Sequence, residues 1–467
     1  MTPFTDARPG VTFENSPAFA RRLDAEDPLR DYRNRFHIPV VEGKEAIYFC
    51  GNSLGLQPKT VRDAVEREML QWEKLAVEGH FAGQQPWFTY HKQFKEPLGG
   101  LVGALPHETV VMNNLTTNLH LMLTSFYRPA AGRYKVLMEG GAFPSDQYAV
   151  ESQVRLHGFS PEAAIVEVQP RPGAYTLRTE DIVQGIEEHG DELALVLFGG
   201  INYYTGQVYD LEAIARAGHR AGARVGFDLA HAIGNVPLRL HDWDADFAVW
   251  CSYKYLNSGP GGVAGAFVHE KHADNSDLPR LAGWWGYHEE SRFRMEKGFK
   301  PMFGADGWQL ANAPVLLLAA HKAALEVFAE AGIDALRRKS RRLTGYLEFI
   351  LRTDPVLSRH VQIITPADPD WRGCQLSLRL PEIGKAVFDR LGPEGVIADW
   401  REPDVIRLAP VPLYNSFEDV YRCGQILSGL VKENRGPEEG KPEPKETGDG
   451  RQGDQSRDRE GSVGAES

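Results

Sequence analysis

The chain has 467 residues, long for a single apolar core, so two domains are expected. Hydrophobic residues make up 42% and charged residues 25%, an ordinary globular balance, and the net charge of −12 argues against nucleic acid as the main partner. No apolar run approaches the roughly 20 residues of a membrane span, no secretory leader is expected from MTPFTDARPG, and four scattered cysteines without a CxxC pair suggest a reducing, cytoplasmic setting and no metal cluster.

Residues 1–45 read as an N-terminal segment packing on a smaller domain. The large domain is expected over 46–312. NNLTTNLHLMLTSF (113–126) predicts a helix opening at Leu115 or Thr116. RYKVLMEG (133–140) predicts a strand, and SDQYAVESQVRLHG (145–158) a helix capped by Ser145 or Asp146. LALVLFGG (193–200) is a second strand, and DLEAIARAGHRAG (210–222) a helix ending at glycine. ARVGFDLAHA (223–232), DFAVWCSYKY (246–255) and GGVAGAFVHE (261–270) follow as further strands. Apolar strands alternating with helices predict an α/β fold with a mostly parallel sheet covered on both faces. Beyond Asn312 a long helix, further helical sequence and the runs CQLSLRL and VIRLAP predict a smaller α+β domain over 313–434. From about 435 to 467 the chain has no aromatic residue and reads as a disordered tail.

In open α/β sheets, ligands bind beyond the carboxyl ends of the strands. Asp228 closes one strand and His231 follows it. Phe143 and Asp146 lie between a strand and its helix, and Lys254 lies just past DFAVWC. An amine, a carboxylate, an aromatic face and a helix N-terminus together suit pyridoxal phosphate, which needs a Schiff-base lysine and a carboxylate partner for its ring nitrogen. Taken singly each has a bland reading: a loop lysine, a helix cap, a core phenylalanine, a capping threonine at 116. Gly259, Gly261 and Gly262 read as a turn. The ordered set TTN, AFPSD, DLAH, SYKY is what carries the signal.

With YFCGNSLGLQP (48–58), GWWGYHEESRFRM and RLAPVPLYNSF (407–417), this set resembles the kynureninase family, fold-type I pyridoxal-phosphate enzymes of the class V aminotransferase superfamily. The resemblance implies a seven-stranded-type sheet in the large domain. It implies hydrolysis of the Cβ–Cγ bond of L-kynurenine or 3-hydroxy-L-kynurenine to L-alanine and the anthranilate, in tryptophan breakdown and NAD synthesis. It implies that Leu115 and Thr116 contact the cofactor phosphate and that Phe143, Pro144, Ser145 and Asp146 wrap the ring. Asp228 then pairs with the ring nitrogen beside His231, Tyr253 reaches the phosphate, and Lys254 is the covalent anchor. Trp284 and Asn312 are implied to complete the pocket of the neighbouring subunit of a homodimer. Ser53, His80 and Arg407 are implied on the substrate side, with Arg407 as the carboxylate clamp. The second tryptophan, Trp285, leaves the GWWG register open by one residue, and Gly199 stands where relatives often have serine. A cysteine desulfurase on the same fold needs a reactive thiolate; Cys374 and Cys423 read as buried structural thiols.

Overall fold

The computed structural model describes residues 12–435. The expected tail lies outside the described residues from 436 onward. The apolar runs form a seven-stranded sheet of β1 (Thr109–Val111), β2 (Lys135–Glu139), β3 (Ile165–Val168), β4 (Leu193–Gly199), β5 (Arg224–Asp228), β6 (Phe247–Trp250) and β7 (Gly265–Val268). The spatial order is β1-β7-β6-β5-β4-β2-β3. Strands β2 to β6 run parallel, and β7 is antiparallel to both β6 and β1. Because successive strand residues point to opposite faces, the sheet feeds two apolar layers. Leu137, Val196, Phe198 and Phe227 enter one, and Val136, Leu195, Leu197 and Phe247 the other. This is the α/β class expected from the sequence.

The helices covering the sheet include α1 (Leu115–Phe126), α2 (Pro144–Leu156) and α3 (Leu211–Arg220). Helix α1 is capped by Asn114, whose side chain accepts from the Thr117 N–H at 3.0 Å, so the first-turn N–H groups of Leu115 and Thr116 face outward along the axis. Helix α2 starts earlier than expected. Neither Ser145 nor Asp146 caps it; Phe143 holds the cap position and Pro144 the first turn. Proline suits that place because its φ is fixed and its missing N–H would have had no partner.

Beyond the sheet come α4 (Val315–Ala331) and α5 (Ile333–Thr353), then β8 (Gln362–Ile363), β9 (Leu376–Arg379), β10 (Asp399–Arg401) and β11 (Val405–Leu408), and finally α6 (Phe417–Arg435). The four strands form an antiparallel sheet in the order β8-β9-β11-β10. Their core, with Leu347, Leu378, Ile406 and Val420, also takes in Phe13, Phe19 and Leu23 from the N-terminal segment and Phe49 just past it. Asp24 accepts from the Phe417 and Glu418 N–H groups at 2.7 and 2.9 Å, so a distant residue caps α6. The apolar face of α4, with Leu318, Leu325 and Phe328, packs in the large-sheet core instead. Packing is shared across the expected 312/313 boundary: Leu336 near the start of α5 still joins the large-sheet core, while Leu343 and Leu347 turn to the smaller one.

Candidate active site

Strand register sets the site. Gly199 pairs with Asp228 and Asp228 with Val249, so the ends of β4 and β5 and the loop after β6 open on one edge. The N-termini of α1 and α2 meet them there, around a cleft of about 550 Å³ counting its open mouth. The helix starts contribute Leu115, Thr116, Phe143, Ser145 and Asp146; the strand side contributes Asp228, His231, Tyr253 and Lys254. Pro144 acts through the backbone, as the first residue of α2. Thr116 Oγ1 and Ser145 Oγ lie 2.7 Å apart and tie the two helix starts together. The Lys254 amine sits 5.7 Å from the centroid of the Phe143 ring. Gly259 and Gly261 form a left-handed turn with φ of 90° and 70° and open space where a side chain would be.

The loop bearing Lys254 is pinned from outside. Gly55 donates its N–H to the Tyr253 carbonyl oxygen at 2.8 Å. A Cβ on Gly55 would lie 2.3 Å from the Lys254 carbonyl oxygen, so this residue must be glycine for the two backbones to pass.

Electrostatically the cleft holds more carboxyl groups, Glu139, Asp146 and Asp228, than cations, Lys254. Burial raises Asp146 well above the carboxylate range, and the charges of Asp228 and Glu139 add to this. Burial also raises Asp228, but the Ala230 N–H at 2.7 Å, the Lys254 charge and a hydrogen bond with Asp146 hold it down. Asp146 is thus the acid pushed furthest from ionising, and Asp228 the one whose charge its neighbours support. Glu139 is pushed up to about 7 by burial, opposed by the Gly199 N–H that it accepts at 3.1 Å. His231 is forced well below its usual value by burial and then by Lys254, Arg407 and Arg401, so it is a neutral imidazole. Buried Asp146 Oδ1 and His231 Nδ1 have no partner within the protein. Burial raises the Tyr253 phenol, which stays protonated at neutral pH.

The other expected residues do not line this cleft. Ser53 and Arg407 form a group of their own with Asp399: Ser53 Oγ donates to Asp399 Oδ2 at 2.5 Å, and Arg407 Nη2 meets Asp399 Oδ2 at 2.8 Å. His80 contacts the Val77 carbonyl oxygen at 3.0 Å and packs edge-on to Trp87. Trp284 is 47% exposed and Asn312 is exposed, both outside the cleft of a single chain, whereas Trp285 is buried beneath the Arg292 guanidinium. Of the two tryptophans, Trp284 is thus the surface ring. Sequence reasoning missed Glu139, whose only signal was its place at a strand end before AFPSD, and Tyr203, which packs edge-on against Phe143 at 5.1 Å. It also missed Asp399.

The aminotransferase class-V family matches residues 47–370, and the kynureninase C-terminal domain matches residues 336–427. A kynureninase of Flavobacterium psychrophilum is 57% identical, over 91% of this chain and 100% of its own. One from Myxococcus xanthus is 55% identical over 90% and 99%. Among solved structures, an apo cysteine desulfurase of Thermococcus onnurineus superposes with a TM-score of 0.70 at 17% identity, covering 83% of this chain and 95% of its own. The cystine C-S lyase C-DES gives 0.69 at 18%, covering 83% and 97%. These two share the fold. The thiolate of a desulfurase is missing among the described residues: Cys374 and Cys423 are buried with thiols pushed up to about 12, and burial raises Cys50 and Cys251 as well. By its match to both families and its identity to full-length relatives, the chain belongs to the kynureninase family of the class-V aminotransferases.

Proposed function

We propose that the protein is a pyridoxal-phosphate-dependent kynureninase, hydrolysing the Cβ–Cγ bond of L-kynurenine or 3-hydroxy-L-kynurenine to L-alanine and the corresponding anthranilate. The observation that carries this is one amine facing an excess of buried carboxyl groups in a cleft floored by two helix N-termini. The residues fit the cofactor. Asp228 carries a charge with no cation of its own beyond Lys254, so a protonated ring nitrogen supplies the missing donor. The N–H groups at the starts of α1 and α2, with the Thr116 and Ser145 hydroxyls, suit a phosphate. The Phe143 ring beside Lys254 offers a face for stacking.

Bound there, pyridoxal phosphate supplies an electron-withdrawing ring that stabilises negative charge on the substrate carbons next to it. Lys254 would hold the cofactor through its amine, and that amine, when free, is placed to take the proton from the substrate Cα. Asp228 would keep the ring nitrogen protonated, and Asp146, raised well above the carboxylate range, would leave the charge on Asp228. Neutral His231 packs close without adding a positive charge that would compete for Asp228. Tyr253 is a protonated phenol next to Lys254, suited to protonating Cβ, which stays on the alanine fragment when water has added to the γ-carbonyl and Cγ leaves as the anthranilate carboxyl. Arg407 binds the substrate carboxylate.

We also propose a homodimer with active sites shared between subunits. Trp284, Phe293 and Phe81 form an exposed aromatic surface, with Phe81–Phe293 and Trp284–Phe293 centroids 6.4 and 5.5 Å apart. Trp284 and Asn312 would then complete the partner's cleft, with His80 on the substrate side. Four free thiols and no described helix long and apolar enough to cross a membrane support a cytoplasmic setting. The test is fluorescence of released anthranilate and 3-hydroxyanthranilate with both substrates. Purified protein loaded with cofactor but releasing neither product refutes the assignment.

A further inference from the structure

Arg407 is 1% exposed, yet most of its donors are engaged within the chain. Nε and Nη2 meet the two oxygens of Asp399 at 3.1 and 2.8 Å, and Nη1 donates to the Tyr203 carbonyl oxygen at 2.6 Å. Nη2 also reaches Ser53 Oγ at 3.3 Å. An ion pair closed in this way is neutral, and a neutral pair attracts a further carboxylate only weakly. Positive charge has to come from elsewhere.

It comes from Arg401, on the same short strand as Asp399. Arg401 Nε lies 3.1 Å from Asp399 Oδ1 and its Nη2 lies 3.2 Å from Oδ2, so two guanidiniums share one carboxylate. Burial alone would raise Asp399, but the hydrogen bond and charge of Arg407, the Ser53 hydroxyl and Arg401 together lower it. Arg401 is itself lowered, by burial and then by the charge of Arg407. The group is one negative charge short of neutrality in a partly desolvated place, where that deficit counts. It also adjoins the cleft. The Arg401 guanidinium carbon is 6.0 Å from the Tyr203 ring centroid, and Tyr203 packs on Phe143, the ring beside Lys254.

We propose that Arg401 is a specificity-determining residue: with Arg407 it seats the α-carboxylate of the substrate, while Asp399 holds the two guanidiniums at the spacing that seat requires. This rests on the reading that the substrate is an amino acid reacting at Lys254. In the unliganded group Asp399 balances one arginine; the incoming carboxylate balances the other. An amine without a carboxylate gains nothing from Arg401, so the arginine selects amino acids over amines.

The experiment compares L-kynurenine with kynuramine, the amine lacking that carboxylate, on the holoenzyme. Arg401→Gln should raise KM for kynurenine about tenfold with kcat within about twofold of wild type, and leave the inhibition constant of kynuramine unchanged. Arg401→Lys keeps the charge without the planar fork and should recover part of the loss. An unchanged KM for kynurenine, or equal weakening of kynurenine and kynuramine, overturns the inference. If the glutamine variant does not fold, the lysine variant decides: a KM rise of about threefold for kynurenine alone supports the seat, and no rise overturns it. A wild-type protein that turns over neither kynurenine brings down the parent reading as well, whereas an active wild type with an indifferent Arg401 variant brings down this one alone.

Discussion

The two ends of the large sheet bury carboxylates of similar depth and treat them in opposite ways. At the amino end Asp246, just ahead of β6, is fully buried and surrounded by donors. His219 Nε2 and His272 Nε2 lie 2.9 and 2.7 Å from its oxygens, and the Val225 N–H donates at 2.8 Å. Burial alone would raise this acid, but these bonds and the Lys271 charge pull it far below the usual range. At the carboxyl end Asp228 and Asp146 are pressed together with few donors, the Ala230 N–H reaching Asp228 and none reaching Asp146 Oδ1, and both are raised. Burial is thus no guide to role; the supply of donors is. One end is saturated and serves stability, while the other is left short, with room for a ligand to complete it.

Glu108, His241 and His269 at the amino end sharpen the point, since their ligand atoms lie within 4.8 Å of one another. The two imidazoles stack at 4.9 Å and 12°, so their in-plane lone pairs do not converge on one ion. Glu108 Oε1 accepts from the Glu270 N–H at 2.7 Å and His269 Nδ1 from the Lys271 N–H at 3.1 Å. Even this histidine-rich cluster is closed on itself.

Substitutions at the two ends should therefore separate activity from stability. Lys254→Ala should lower anthranilate release by about 10⁴-fold or more, and borohydride reduction followed by mass spectrometry should find no cofactor adduct. Asp228→Asn should cost about 10²–10³-fold in kcat with little change in melting temperature, because it removes an ill-matched carboxylate. Loss of folding in step with activity would contradict the contrast. Arg407→Ala should raise KM by about 10²-fold, more than it lowers kcat, in steady-state kinetics. Asp246→Asn should leave kcat alone and destabilise by about 3 kcal/mol in urea titration, since it opens a buried, fully bonded ion group.

The pH dependence has opposite signs at the two ends. Asp246 is depressed, so its contribution is present above the unfolded value of about 4 and lost as pH falls below it. Glu139 is raised to about 7, so its contribution is full below about 4 and lost as pH rises through 7. Melting curves from pH 4 to 8 should show Glu139→Gln gaining a few degrees over wild type at the alkaline end and nothing at the acid end.

The large sheet was legible because strands buried on both faces must be continuously apolar, and LALVLFG and FAVW are. Thr109–Val111 was not, since three residues carry no periodicity. The converging residues of the cleft were legible because strand ends, Pro144 and the DLAH and SYKY motifs are local signals. Glu139 was hidden because a glutamate closing a strand looks like any solvated terminus until burial is known. Asp399 and Arg401 lie in the sequence DWRE, which has no motif; their meaning comes from pairing with β11, which sets Asp399 opposite Arg407. His80, Trp284 and Asn312 entered only through family resemblance, and no feature of a single chain draws them toward Lys254.

The short stretch from Cys50 to Gly55 is anchored at three places. Cys50 bridges to Ala409 just past β11, Ser53 bonds into the arginine group, and Gly55 is fastened to the backbone of the lysine loop. It acts as a rivet through two plates, one carrying the amine and the other the guanidiniums. Neither plate can slide without straining these hydrogen bonds, so the spacing between the lysine loop and the guanidinium pair is held by a six-residue tie as well as by the packing between the two sheets.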